Sequence, residues 1–282
     1  MSNNIIFQHL STIQNNREII KQDKKYQKII SELETIVNFI IEFTDLSFGR
    51  DFISCNEKIL SLQIISTSFE MTAENIVLCC KSGCLADANS LLRKYFDDLL
   101  FFLYIVIYDK EIRLDGKNQK SNKIEDNIVK WLNNTLTNLR YEDIINLIKT
   151  NNNLQDAVEK YDLKNKFYSI RGPLNNFMHS NGIIYYNRST NKDNDKDLAK
   201  QMQDLLKNLR FITISFLFLL TLYAPCFIMS SDYIDYLECG MTPPKDSQYW
   251  VAPFISDFFK KNLDLIDINC ITYLRENTCM KI

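Results

Sequence analysis

Turn residues are scarce in this chain, and the scarcity narrows its folds more than any other feature. Six glycines and five prolines punctuate 282 residues. A β-sandwich or an α/β fold of that length needs a turn residue every ten or so positions, whereas helices need far fewer breaks. The chain is also long enough to bury a substantial core. The expectation is therefore an all-α protein, a multi-helix bundle.

Apolar periodicity supplies the helices. Ile19, Ile20, Tyr26, Ile29, Ile30, Leu33, Ile36, Val37 and Ile40 recur at three- and four-residue steps, which predicts one amphipathic helix over residues 18–47. A second helix is expected from Asn56 to about Lys81, closed by Ser82-Gly83. A third follows at once. It is amphipathic at first and apolar all round from Leu99 to Ile107, so its second half belongs in the centre of the core. Residues 109–125 are charged and aperiodic and read as a loop. Further helical patterns cover 128–139, 141–148 and 154–167.

The most apolar segment grows out of an amphipathic helix that begins near Asp197 and runs as FITISFLFLLTLYAPCFIMSS, about twenty residues without a charge. Its length suits a transmembrane span, and Lys207 and Arg210 would suit a cytoplasmic flank. Three features favour a buried core helix ending near Ala224-Pro225. The run contains Thr213, Ser215 and Thr221, it continues an amphipathic helix, and the apolar stretch at 99–107 offers a partner. A loop over 241–250 and a last helix over 251–262 complete the chain, with irregular final turns.

A formal charge of -2 excludes the global basic field that drives non-specific nucleic-acid binding, so any RNA contact must be local. Eight cysteines form no CxxC pair, and the N-terminus has no secretory leader, so reduced, mostly buried thiols in the cytoplasm are expected. Cys79, Cys80 and Cys84 share about one helical turn but lack a fourth ligand, and no metal or other cofactor is expected. Neither a GxSxG elbow nor a phosphate-binding Gly-rich turn is present.

Only two histidines occur, His9 in a loose N-terminus and His179 within YSIRGPLNNFMHSNG. Acid–base chemistry by a histidine therefore falls to His179. Gly172-Pro173 predicts a helix start and Asn181-Gly182 a stop, which puts Asn175 and His179 four apart on one face with Arg171 at the entrance. On the third helix Arg93 and Asp97 form an i, i+4 pair. That pair is either an ordinary surface ion pair or an inward-facing arginine that meets the His179 segment. His179 itself is either an acid–base residue or a structural histidine that caps carbonyls or bonds Tyr168 or Arg93.

Gly83, Ala88, Leu91, Leu92, Arg93 and Asp97 fit G-x-x-x-x-A-x-x-L-L-R-x-x-x-[DE], and Asn175 and His179 follow some eighty residues later as [SN]-x-x-x-H. Over about residues 55–225 this resembles a widespread family of helical bacterial proteins similar to the HEPN superfamily (higher eukaryote and prokaryote nucleotide-binding). The resemblance implies a HEPN-like core with extra N- and C-terminal helices, hence segments 1–54, 55–230 and 231–282. It implies a metal-independent endoribonuclease or toxin-type effector in prokaryotic defence, in which a histidine handles the ribose 2′-hydroxyl proton and an arginine stabilises phosphate charge. Catalytic members separate that Arg and His by four to six residues. Here Arg171 and His179 are separated by seven, with Gly172-Pro173 after the arginine, so either Arg171 or Arg93 fills the role. Asn175, Asp97 and Tyr168 would support them. Implied partners are RNA, a second copy of the chain, and an antitoxin or other defence-system protein. The competing readings are a non-catalytic helical sensor or scaffold, and a membrane-associated effector using residues 211–229.

Overall fold

The structure is a computed structural model that describes residues 2–47, 52–55, 58–113, 127–131, 133, 135–136, 139–189 and 195–282. The protein is all-α, a multi-helix bundle with, among the described residues, one small β-hairpin. Helices α1 (Ser2–Gln22) and α2 (Lys24–Ser47) lead to the antiparallel strands β1 (Phe52–Cys55) and β2 (Lys58–Ser61), paired Phe52 to Ser61 and Cys55 to Lys58. Then come α3 (Leu62–Lys81), α4 (Leu85–Arg113), a helical turn over 127–131, α5 (Tyr141–Ile148), α6 (Asn152–Lys160), α7 (Leu163–Met178), α8 (Gly182–Ser189) and α9 (Asp195–Tyr223). A 3-10 turn at Pro225–Ile228, α10 (Asp232–Glu238), α11 (Pro253–Asn262) and α12 (Cys270–Asn277) finish the chain.

Several boundaries differ from the sequence expectation, each for a local reason. The helix expected over 18–47 breaks at Asp23, whose carboxylate accepts from the Lys25 N–H at 2.7 Å and so restarts the chain as α2. Helicity also reaches back to Ser2, so His9 lies on α1, with its side chain outside the described residues. Residues 58–61 pair in the hairpin and delay α3 to Leu62. At its other end α3 stops as expected. Gly83, at φ +72°, donates to Cys80 O at 3.0 Å and Cys84 donates to Cys79 O at 2.8 Å, the paired bonds of a Schellman cap. Helix α4 runs on to Arg113, past the expected loop start, and residues 114–126 lie outside the described residues. The 128–139 pattern is helical only to residue 131 among the described positions. The 154–167 pattern splits at Asp162, which sits at φ +50°. The irregular tail contains the additional helix α12.

The chain divides into two compact units, each drawing on residues from both 1–54 and 55–230. One comprises 1–41, 68–97 and 165–212. Its core gathers Leu33 and Ile40 of α2, Phe69, Ala73 and Ile76 of α3, Ala88, Leu92 and Phe96 of α4, and Leu205, Leu206 and Leu209 of α9. Phe167 of α7 sits edge-on to Phe96 at 5.2 Å and to Phe211 at 6.1 Å. The other unit comprises 42–67, 98–164 and 213–282. There the apolar halves of α4 and α9 pack on each other, with Phe102 edge-on to Phe216 at 5.6 Å and to Phe227 at 5.5 Å. The Tyr223 hydroxyl donates to Ile107 O at 3.1 Å. Leu198–Tyr223 is long and apolar enough to cross a membrane by length and composition, and 83% of its apolar window is covered by the protein itself. Thr213, Ser215 and Thr221 are buried with it.

Candidate functional site

The candidate residues all belong to the first unit, on α4 and α7. Helix α7 is the less obvious of the two, because Pro173 lies inside it and Gly172-Pro173 does not begin it. Pro removes one ladder donor and crowds the preceding turn. Leu163, Phe167, Leu174 and Phe177, all buried, form one apolar stripe on both sides of that point, and their burial carries the helix through the local breaker. One face of α7 is thereby anchored in the core.

The polar residues lie on its other side. Arg93 of α4 faces inward, 5% exposed, and its Nε donates to Asn175 Oδ1 of α7 at 2.9 Å. Its Nη1 is ion-paired with Asp97 Oδ2 one turn on. Arg171 of α7 approaches the other oxygen of the same carboxylate, Nε to Oδ1 at 3.7 Å. Asp97 thus stands between two guanidiniums and keeps 44% of its side chain in solvent, while Arg171 keeps 23%. Burial lowers the Arg93 guanidinium from its ordinary value, Asp97 acts against that, and the Arg171 charge adds to the lowering. Two cations share one carboxylate, so the cluster carries a net positive charge beside an opening to solvent, which suits an anion with several oxygens.

His179 takes a different place from the one expected. Helix α7 ends at Met178 with a Schellman cap in which Asn181 donates to Asn176 O at 2.7 Å and Ser180 donates to Phe177 O at 3.3 Å. Ser180 is therefore the left-handed residue, at φ +51°, one step before the Asn181-Gly182 stop read from the sequence. His179 is the C-cap, its N–H donating to Asn175 O at 3.0 Å, and its side chain is exposed. Arg93 turns to Asn175 and Asp97, and the buried Arg93–Asp97–His179 network of the scaffold reading is corrected: His179 is in solvent and Asn175 stands in its place. Its sequence neighbours Met178, Ile183 and Ile184 are 44%, 70% and 52% exposed, and Tyr168, three turns earlier on α7, is 37% exposed.

Two other features bear on the site. A cleft of about 320 Å³ opens on the opposite flank of α7, lined by Asn89, Pro173, Phe177, Gln201, Asp204 and Lys207 among others. No local sequence signal marked it, because its lining comes from three separate helices. The thiols of Cys79, Cys80 and Cys84 are all pushed up, chiefly by burial, and so stay protonated at neutral pH. Among the described residues no group of three or more His, Cys, Asp or Glu is placed to hold a metal ion. The chain matches no protein-family model, no curated protein and no solved structure.

Proposed function

We propose that the chain is a HEPN-like, metal-independent endoribonuclease, a toxin-type effector of prokaryotic antiphage defence. The observation that carries the reading is the convergence of Arg93, Asp97, Asn175 and Arg171 in one net positive cluster, which Asp97 and Arg171 bring to solvent while Arg93 stays buried, with an exposed imidazole one turn further along α7. In this reading Arg171 receives a phosphate and the buried Arg93 charge beside it adds to the attraction. The ribose 2′-oxygen attacks phosphorus, the 5′-oxygen leaves, and His179 takes the 2′-hydroxyl proton. Asn175 and Asp97 orient Arg93, and Tyr168 offers a ring on which a base can stack. The departure in spacing is accommodated by Arg93, which enters from the neighbouring helix and meets α7 at Asn175, about 6 Å along the axis from His179.

Expression in a bacterial host tests this. The wild-type chain is expected to arrest growth and degrade cellular RNA, and His179→Ala to do neither at equal abundance and helicity. Toxicity that survives the substitution sinks the mechanism. A scaffold reading is favoured by one observation, the near-complete burial of Arg93, which makes it a packing residue whatever else it does. That reading expects Arg93→Ala to lower stability and no RNA turnover by any variant.

A further inference from the structure

We infer that the cleft between α7 and α9 is a binding site for a free α-amino acid with an apolar side chain. The inference is independent of the ribonuclease reading, since none of Arg93, Asp97, Arg171 and Asn175 lines that cleft.

Helix register sets the order of the groups along the cleft. Phe167 of α7 packs on Phe211 of α9 at 6.1 Å, and the part of α7 that follows Phe167 shares the cleft with the part of α9 that precedes Phe211, so the two helices run antiparallel. Ile170 then stands level with Asn208, Leu174 with Asp204, and Phe177 with Gln201. Leu174, Phe177 and Leu205 are buried and form an apolar floor. Asn89 enters from α4. That helix also runs antiparallel to α7, Arg93 meeting Asn175 and Asp97 meeting Arg171, so Asn89, one turn before Arg93, belongs to the Phe177 end of the cleft.

Asn89 is what makes the cleft a site for a polar occupant. The residue is 6% exposed, and its Nδ2 donates to Leu85 O at 2.6 Å, which fixes the amide and turns Oδ1 away from the α4 backbone. That oxygen accepts nothing from the described residues, yet it is not sealed inside the protein. A nearly buried acceptor facing a cleft calls for a donor from whatever fills it. The charged groups of the lining are one acid and one base, Asp204 and Lys207, three residues apart on α9. That spacing allows an ion pair, but among the described residues neither makes one, and Asn208 beside Lys207 leaves its amide unbonded. Asp204 lies about 4.5 Å along the axis from Lys207, on the Asn89 side. A zwitterion matches this order. Its ammonium donates to Asn89 Oδ1 and Asp204, its carboxylate accepts from Lys207 and Asn208 Nδ2, and an apolar side chain lies on Leu174 and Phe177. A simple anion would meet Asp204 and a polyamine would meet Lys207, each a like-charge contact. The volume of about 320 Å³ is at the small end for ligand pockets and suits a single amino acid better than a large cofactor.

Isothermal titration of the full-length chain with L-leucine or L-phenylalanine is expected to show saturable binding with a Kd below ~1 mM. Leucinamide, which lacks the carboxylate, and isocaproate, which lacks the ammonium, are each expected to bind at least ~10-fold more weakly than leucine. Asp204 and Lys207 are exposed, so Asp204→Asn and Lys207→Gln keep the fold, and each is expected to weaken leucine binding by ~10-fold. Lys207→Gln is further expected to leave the weak binding of leucinamide unchanged, because the group that Lys207 holds is absent from that ligand. Asn89→Ala is expected to weaken leucine binding as well, with the melting temperature of the variant measured alongside. No saturable binding of either amino acid up to ~10 mM, isocaproate binding as tightly as leucine, or leucine binding indifferent to both Asp204→Asn and Lys207→Gln overturns the proposal.

Discussion

Arg93 is the residue on which α4 and α7 agree. Its guanidinium is nearly dry, and it is held by an amide from one helix and a carboxylate from its own. Arg93→Ala removes the side chain and leaves Asn175 Oδ1 without its donor, which is expected to cost about 2–4 kcal/mol in urea denaturation. A cost under ~0.5 kcal/mol would mean the buried geometry is wrong. His179 should behave in the opposite way, since an exposed C-cap side chain contributes little, and His179→Ala is expected to unfold within ~0.5 kcal/mol of wild type. Ser180 is the strained neighbour. A non-glycine residue at φ +51° is disfavoured, so Ser180→Gly is expected to stabilise the chain by about 1 kcal/mol. A fall in melting temperature would contradict the cap. Spacing paired Arg93 with Asp97 and Asn175 with His179, and the family resemblance joined the two pairs. Neither could show that Arg171 shares the Asp97 carboxylate, because that contact joins residues 74 positions apart in the chain.

Among the elements, the apolar halves of α4 and α9 were fully legible, since an all-round apolar run has only one place to go in a bundle. The Gly83 stop was legible for the same kind of reason, a residue type that one backbone conformation demands. Helix α7 was not. Local punctuation at Gly172-Pro173 argued for a start, and the buried stripe from Leu163 to Phe177 overrode it. The hairpin over 52–61 was missed because Leu60, Ile64 and Ile65 continue a helical spacing through a segment whose backbone pairs as strands. Pro173 gives the element-scale prediction. With its ring exposed and its missing N–H leaving a gap in the helix ladder, Pro173→Ala is expected to raise stability by about 1–3 kcal/mol. Loss of helical signal in the circular dichroism of that variant would show that α7 is not continuous.

For the molecule as a whole, the resolved shifts of its buried thiols and phenols share one direction. Burial holds Cys79, Cys80, Cys84, Tyr104, Tyr161 and Tyr273 above their ordinary values. The unfolded chain releases these protons first, near 9.0 for Cys and 10.0 for Tyr. Above that range the folded state binds more protons than the unfolded one. Stability is therefore intact below about pH 9 and falls as pH rises through the shifted values. Thermal melts of the reduced chain are expected to decline steadily from pH 9 to 11, and a flat profile over that range would contradict the burial of these groups.

We propose that the Arg93–Arg171 cluster and the exposed His179 cleave RNA without metal. Cleavage of a fluorescent single-stranded RNA by the purified chain in excess EDTA tests it most directly. Cleavage is expected to persist in chelator, to leave a 2′,3′-cyclic phosphate end, and to be lost in His179→Ala while the melting temperature is unchanged. No cleavage by the folded wild-type chain, or equal cleavage by His179→Ala, would contradict it.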